Sequence, residues 1–291
     1  MSVKLKKIFS AEVVMTILIV LVIGVSTFFF VRNLEVYDYI VETNAFFAPF
    51  EFYDNRKIVG VDVEIINRVA EKLNKRIEIK NVEFDMIIDN VADGIIADAG
   101  AAGLTITPAR EKKVNFTIPY YNSVQYVIFR KDAGMELRDG HVVWETLSGK
   151  TLGSQTGSTG YMFVADEISD GVLAGTETKM KGFDSHQLAA DAISAHIIDC
   201  AIADELAAQF ITDKNSALMA APLYYSGTEG QVDYPVEESY AIAVNKERTE
   251  LLTAFNEVLV EMTAKDPKGI SELDRLIIKY MGIKEELENQ K

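Results

Sequence analysis

Cysteine is nearly absent from this chain: Cys200 is the only one among 291 residues. A single cysteine excludes an intrachain disulfide, and its place in the apolar run 197–203 indicates a buried core residue rather than a reactive thiol. Histidine is scarce as well. The three histidines lack the spacing of metal ligands, so we expect no metal site and no other cofactor; they are His141, His186 and His196.

Basic residues are few in relation to acidic ones. The chain carries 29 Lys and Arg against 44 Asp and Glu, which gives a formal net charge of -15. This balance argues against a nucleic-acid partner, because phosphate binding requires clustered Lys and Arg. The sequence also contains no catalytic triad, no paired nucleophile and base and no zinc motif, so we do not expect an enzyme.

Charge is absent from one long segment near the N-terminus, residues 13–31. At ~1.5 Å per residue this segment is long enough to cross a ~30 Å hydrocarbon core as a helix. Lysines at positions 4, 6 and 7 precede it, which by the positive-inside rule places the remaining chain outside the cytoplasm. We expect an uncleaved signal anchor over residues 1–33. A cleaved signal peptide is the alternative, and both give an extracytoplasmic protein.

After this segment, strand patterns alternate with helix patterns. Strands separated by helices of ordinary length indicate βαβ units and an α/β fold. A second α/β series begins near residue 147. In it, Phe183-Asp184 leads through a helix to the apolar strand 197–204, as Phe84-Asp85 leads to the strand 95–99. This echo predicts two similar lobes, in a chain long enough to build a core in each.

The segment Gly103-Leu104-Thr105-Ile106-Thr107-Pro108-Ala109-Arg110 combines several features of a ligand site. Thr107 is a good helix N-cap, and Pro108 suits the first helical position. Arg110 then falls in the first helical turn, where unpaired N–H groups and the helix dipole favour a carboxylate. Thr105 adds a hydroxyl that can donate and accept. The alternative is an ordinary capped helix with a solvated arginine.

Other candidate residues are ambiguous when taken singly. Thr159 lies in a Gly157-Ser158-Thr159-Gly160 turn that either approaches a ligand or merely connects a strand to a helix. Asp204 is either a helix N-cap or a cleft carboxylate that meets a cation. Phe47 and Phe84 are either core residues or walls of a ligand slot. Together with Arg110, these residues match the zwitterionic head and side-chain stem of an α-amino acid.

The chain resembles the family 3 extracellular solute-binding proteins, the amino-acid receptors of ABC importers, from about residue 36 to residue 281. The motifs that carry the resemblance include residues 47–52 (FAPFEF), 60–64 (GVDVE), 103–110 (GLTITPAR), 116–121 (FTIPYY), 147–150 (LSGK) and 201–204 (AIAD). The resemblance implies a periplasmic-binding-protein (type II) clamp with hinge segments near 122–125 and 235–239. Lobe 1 would comprise residues 34–122 plus 238–291, and lobe 2 residues 126–235.

The resemblance also implies roles at the ligand's head group. Arg110 would bind the α-carboxylate, helped by Thr105 and Thr159. Asp204, the Gly103 carbonyl and the Thr105 hydroxyl would bind the α-ammonium. Closure would then follow ligand binding, since only the closed state lets both lobes touch the ligand.

At the side-chain end, Phe47 and Phe84 would enclose the ligand. The positions that tune specificity are occupied by Asn44, Ala102 and Gln155. Members that bind basic amino acids often carry an acid where Asn44 stands, so the resemblance favours an uncharged polar ligand such as glutamine.

The implied function is extracytoplasmic binding of an amino acid and its delivery to an ABC permease, with the protein tethered to the membrane by its N-terminal helix. Two alternatives stay open. One is a cyclohexadienyl dehydratase-like enzyme on the same fold, which would not call for an ammonium-binding acid such as Asp204. The other is a tethered amino-acid sensor.

Overall fold

The computed structural model describes residues 11–32, 36–228 and 231–282. Its strands are β1 Tyr39–Thr43, β2 Phe46–Phe47, β3 Glu51–Asp54, β4 Lys57–Val59, β5 Ile77–Asn81, β6 Ala99–Gly100, β7 Asn115–Phe116, β8 Tyr121–Arg130, β9 Val142–Val143, β10 Thr151–Gln155, β11 Lys179–Phe183, β12 Cys200–Asp204, β13 Leu218–Tyr225, β14 Tyr234–Pro235, β15 Glu237–Tyr240 and β16 Ala243–Val244. Its α-helices are α1 Ala11–Arg32, α2 Val61–Leu73, α3 Ile87–Asp93, α4 Pro108–Glu111, α5 Thr159–Ser169, α6 His186–Ser194, α7 Glu205–Lys214, α8 Thr249–Thr263 and α9 Glu272–Met281.

The chain divides into two compact units, Met1–Asp38 and Tyr39–Lys291. The first contains α1, whose described side chains, residues 13–25, are exposed. Within the described residues, no helix combines the length and the apolar character that crossing a membrane requires. The predicted transmembrane anchor over residues 1–33 is therefore not supported. The lysines at positions 4, 6 and 7 lie outside the described residues.

In the second unit, one sheet has the strand order β5-β1-β6-β16-β7. Strand β1 runs parallel to β5 and β6, whereas β16 is antiparallel to β6 and β7. Helices α2 and α8 pack against each other beside this sheet. The apolar stripe of α2, with Ile65, Ile66 and Val69, is buried against Phe255 and Leu259 of α8. Burial of this stripe explains why the segment is helical.

The other large sheet has the order β11-β10-β12-β8-β13-β14, and β15 pairs with β8. Its core contains Phe129, Trp144, Leu152 and Ile202. Cys200 is fully buried there, and burial raises the pKa of its thiol to about 12. The prediction of an inert core cysteine is thus confirmed.

The two sheets repeat one topology. In β5-β1-β6 and in β11-β10-β12, the first strand of each series lies between the second and the third, and all three are parallel. The two similar α/β lobes predicted from the internal sequence repeat are therefore present. The strand order reverses beside β1 and beside β10, which creates a topological switch point in each sheet. In α/β sheets, ligands bind in the crevice outside the carboxyl ends of the strands at a switch point.

Strands β8 and β15 are the segments in which hinges are predicted. They pair antiparallel, with Asn122 opposite Ser239 and Val124 opposite Glu237. The predicted lobe boundaries, 34–122 plus 238–291 and 126–235, stay a prediction.

A glycine precedes helix α2, which begins at Val61 with Gly60 at its N-cap. Gly60 has φ +137, and a Cβ there would clash with the Phe50 carbonyl. The tight turn at this glycine brings Asp62 into the first turn, where its carboxylate is free to bind elsewhere.

Candidate functional site

The loop after β6 carries the arginine that the sequence singled out. As predicted, Thr107 is the N-cap of α4: its hydroxyl accepts a hydrogen bond from the Arg110 N–H at 3.2 Å. The Arg110 guanidinium is buried. Nη1 donates to the Thr105 carbonyl at 2.8 Å, and Nη2 donates to the Gly157 carbonyl at 3.0 Å. The second bond crosses from the loop after β6 to the turn after β10, so Arg110 links the carboxyl ends of the two sheets.

Charges around Arg110 come from two acids. Burial lowers the pKa of the Arg110 guanidinium, while Glu238 and Asp204 act in the opposite direction. An arginine remains protonated in such surroundings. The site therefore presents a buried, permanent positive charge.

The turn after β10 places hydroxyls beside this charge. Ser158 caps α5 by accepting a hydrogen bond from the Tyr161 N–H at 3.1 Å. The next residue, Thr159, lies with its Oγ1 3.3 Å from Oγ1 of Thr105. Gly157 has φ +78, and a Cβ there would lie 2.7 Å from Cβ of Asp85. Glycine thus allows the close approach of the two loops.

Asp204 is the last residue of β12 and is itself buried. It occupies the N-cap position of α7, yet no capping bond from its side chain is found within the described chain. Its carboxylate instead accepts hydrogen bonds from the Gln125 amide and the Tyr240 hydroxyl. Burial and the neighbouring Asp204 raise the pKa of Tyr240 well above its usual range, so the phenol stays a donor.

The two predicted phenylalanines have different neighbours. Phe47 is buried, with its ring centroid 5.6 Å from that of His186 and 6.0 Å from that of Tyr240. Phe84 lies beside the guanidinium of Arg110, whose Cζ is 5.8 Å from the ring centroid. The predicted enclosure of a ligand side chain by both rings stays a prediction.

Asn44 and Gln155 meet across the two sheets. The Gln155 amide donates to Oδ1 of Asn44 at 2.9 Å and to the Asp184 carbonyl at 3.0 Å. Asn44 in turn donates to the Val82 carbonyl at 2.8 Å. Both side chains are buried.

The backbone N–H of Gly103 is hydrogen-bonded to a buried acid. Asp62 accepts hydrogen bonds from the Gly103 N–H at 3.1 Å and from the Tyr120 hydroxyl at 2.6 Å. Burial raises the pKa of Asp62 to about 6, although these two bonds favour its ionised form. Glu51 beside it is fully buried, and burial together with Asp62 raises its pKa well above the usual range.

Sequence reasoning missed four side chains around Asp204: Gln125, His186, Glu238 and Tyr240. The Gln125 amide and the Tyr240 hydroxyl bind the carboxylate directly. Glu238 and His186 are buried near Asp204: burial and Asp204 raise the pKa of Glu238, while burial lowers the pKa of His186 against the effect of Asp204. The one available signal was a lone polar residue, Gln125, in the apolar strand 124–129. In the described part of the chain, no cluster of three or more His, Cys, Asp or Glu could hold a metal ion.

Two α/β lobes with converging polar residues at their carboxyl ends define a solute receptor of the binding-protein class. The chain belongs to the bacterial extracellular solute-binding proteins, family 3, which match it over residues 39–283. Relatives that it resembles are binding proteins of transporters.

Among these relatives is the arginine-binding extracellular protein ArtP of Bacillus subtilis, which is 30% identical over 226 residues, 77% of this chain and 80% of ArtP. The arginine-bound form of a truncated ArgBP from T. maritima is 31% identical, with a TM-score of 0.64, over 77% of this chain and 95% of that one. An ancestral arginine-binding protein bound to glutamine is 30% identical, with a TM-score of 0.66, over 84% of this chain and 97% of that one.

Proposed function

We propose that this protein binds an α-amino acid between its lobes, outside the cytoplasm, and delivers it to the permease of an ABC importer without acting as an enzyme. One observation carries the proposal: a buried guanidinium, Arg110 in the helix after β6, and a buried carboxylate, Asp204 at the end of β12, lie at the ends of strands from different sheets. An α-amino acid carries the complementary pair of charges on adjacent groups. Its binding therefore stabilises the arrangement that brings both residues to it.

The remaining head-group contacts follow from the loop geometry. The α-carboxylate would accept hydrogen bonds from Arg110 and from the hydroxyls of Thr105 and Thr159. The α-ammonium would donate to Asp204, to the Gly103 carbonyl and to Thr105. These contacts are directional and charge-assisted, which gives them more strength than neutral hydrogen bonds.

The side-chain end favours a ligand rich in donors. Both N–H groups of the Gln155 amide are used, and one of the two on Asn44 is used. Each amide oxygen can accept two hydrogen bonds, so most of the free hydrogen-bonding positions on Asn44 and Gln155 are acceptors that a donor on the ligand could use. A guanidinium offers five N–H donors. We therefore propose arginine as the ligand, which is also the ligand that the similar proteins ArtP and ArgBP bind.

Glutamine, the uncharged polar ligand expected from the sequence, is the second candidate. Its amide also carries donors that Asn44 and Gln155 could accept. The ancestral arginine-binding protein bound to glutamine supports this alternative.

The enzyme alternative requires different chemistry at Asp204. A dehydratase acting on prephenate, which has no ammonium group, would not need the buried carboxylate that Gln125 and Tyr240 hold at Asp204. A sensor would use the same amino-acid contacts, so it differs from a transport receptor in the partner and not in the site.

Isothermal calorimetry of the full chain with arginine, citrulline and glutamine tests the proposal. Arginine should bind at least ~10-fold more tightly than citrulline, its uncharged isostere, if Asn44 and Gln155 accept charge-assisted hydrogen bonds from the guanidinium. Asp204→Asn should weaken all three ligands by ~10-fold or more. The matched control Asp213→Asn, an exposed position on the same helix, should not.

Two outcomes would contradict the proposal. Tighter binding of glutamine than of arginine would reassign the ligand. Absence of binding by every amino acid, together with turnover of prephenate, would establish the enzyme.

A further inference from the structure

His186 is a buried histidine with an unpaired nitrogen. Its side chain belongs to a residue that is only 4% exposed, and Nδ1 has no hydrogen-bond partner among the described residues. Burial lowers the pKa of this imidazole against the effect of Asp204, so the ring is neutral at pH 7. A buried nitrogen without a partner is costly unless a ligand supplies one.

The strand register brings His186 next to the side-chain end of the proposed amino-acid site. Strand β11 runs parallel to β10, with Phe183 opposite Gln155. The Gln155 amide donates a hydrogen bond to the Asp184 carbonyl at 3.0 Å. Helix α6 follows at once, with Ser185 as its N-cap and His186 as its first residue. His186 therefore comes directly after the loop that Gln155 binds.

The ring of His186 also contacts the first sheet's side of the site. Its centroid lies 5.6 Å from that of Phe47, and the two ring planes are inclined at 44°. Phe47 follows β1, as does Asn44, whose Oδ1 accepts a hydrogen bond from the Gln155 amide at 2.9 Å. Asn44 and Phe47 after β1 thus meet Gln155 and His186 at the carboxyl ends of β10 and β11. This is the end of the site where the ligand's side chain is proposed to lie.

A neutral imidazole has one nitrogen that accepts a hydrogen bond and one that donates. The guanidinium of arginine carries N–H donors only, and the amide of glutamine carries N–H donors as well, so Nδ1 can accept from either. A neutral ring also does not repel a cationic side chain. A site that is built to hydrogen-bond its ligand rejects an analogue without the bonding group, because its own buried polar atoms are then left unpaired.

We propose that His186 is a specificity-determining residue of the amino-acid site. Its Nδ1 accepts a hydrogen bond from an N–H group on the ligand's side chain, while its ring lies against Phe47. The protein therefore selects amino acids whose side chains end in N–H donors over apolar side chains of similar length. This inference rests on the proposed function, and it holds for either arginine or glutamine as the ligand.

Calorimetry of the full chain with arginine, glutamine and methionine tests this role. Methionine is similar to glutamine in length but has no N–H group on its side chain. His186→Phe keeps a ring against Phe47 and removes both nitrogens. It should weaken the N–H-bearing ligand that the wild-type protein binds by ~10-fold or more, and it should bind methionine at least as tightly as the wild-type protein does.

A second variant separates the hydrogen bond from the packing of the ring. The Oδ1 of asparagine is as many bonds from Cβ as the Nδ1 of histidine, so His186→Asn keeps an acceptor near the same place. It should bind the N–H-bearing ligand at least ~3-fold more tightly than His186→Phe does, although it has lost the ring. His196→Phe is the matched control, since it makes the same change at an exposed histidine and should leave every affinity unchanged.

Equal weakening of methionine and of the N–H-bearing ligand in His186→Phe would overturn the proposal, because His186 would then be a packing residue only. Unchanged binding of arginine and glutamine in this variant would overturn it as well. If the wild-type protein binds no amino acid at all, the proposed function fails and this inference fails with it. Loss of selectivity in a protein that still binds amino acids separates the two.

Discussion

Arg110 joins two loops that belong to different sheets. It reaches Thr105 on its own side and the Gly157 carbonyl on the other with separate nitrogens of one planar group. A lysine ammonium carries the same charge but cannot span two acceptors in this fixed geometry. The planar geometry of the Arg110 guanidinium therefore matters as much as its charge.

We predict that Arg110→Lys weakens amino-acid binding by about one to two orders of magnitude, because charge-assisted hydrogen bonds of ~1.5–3 kcal/mol each are lost. Calorimetry with arginine measures the change. Lys113→Ala is the matched control: this exposed residue just after α4 pairs with Asp89 at the surface. Unchanged affinity in Arg110→Lys would show that charge alone suffices.

The loop after β6 is shaped by a glycine. Gly103 has φ +54, and a Cβ at this position would clash with the ring of Phe47. The Gly103 N–H is fixed by Asp62 at 3.1 Å. The left-handed backbone at Gly103, the Phe47 ring and the Asp62 carboxylate are therefore mutually dependent, and the loop leaves no room for a side chain at Gly103.

We predict that Gly103→Ala lowers the free energy of unfolding by ~2–5 kcal/mol. The left-handed conformation contributes ~1–2 kcal/mol and overpacking against Phe47 ~1–3 kcal/mol. Urea denaturation measures both. Gly134→Ala is the matched control, since Gly134 has φ +62 with open space around its Cβ position. It should show the conformational cost alone, and equal losses in the two variants would contradict the clash.

At the scale of the whole molecule, the buried acids behind the site link stability to pH. The pKa of Asp62 is about 6 in the folded protein, against an ordinary value of 3.8. Between these values the folded protein binds a proton that the unfolded chain releases, so this carboxyl lowers the stability as pH rises. The effect is absent below about pH 4 and complete above about pH 6.

We predict that Asp62→Asn removes this dependence. Relative to the variant, the wild-type protein should lose about 3 kcal/mol of unfolding free energy between pH 4 and pH 7. Urea denaturation at the two pH values measures the difference. Asp93→Asn, at an exposed position, is the control and should keep the wild-type dependence. Parallel curves for wild type and Asp62→Asn would show that Asp62 is not the source.

Sequence patterns determined the α/β architecture and its repeat. Alternating strand and helix patterns predicted parallel strands, and the echo between 84–99 and 183–204 predicted the shared topology of the two sheets. The Thr107 cap was also predictable, because capping depends on residues three positions apart. Local periodicity and capping depend on residues that are close in sequence, so both can be predicted from the sequence alone.

Only the tertiary structure decided how the polar residues pair. Asp62 lies in the first turn of α2, yet it binds Gly103 and Tyr120, which lie 41 and 58 residues away. Asp204 occupies a cap position, yet its partners are Gln125 and Tyr240 from two other strands. Burial removes water as a partner, so each carboxylate takes the donors that the fold brings within reach. Those donors come from distant segments, and no spacing along the sequence specifies them.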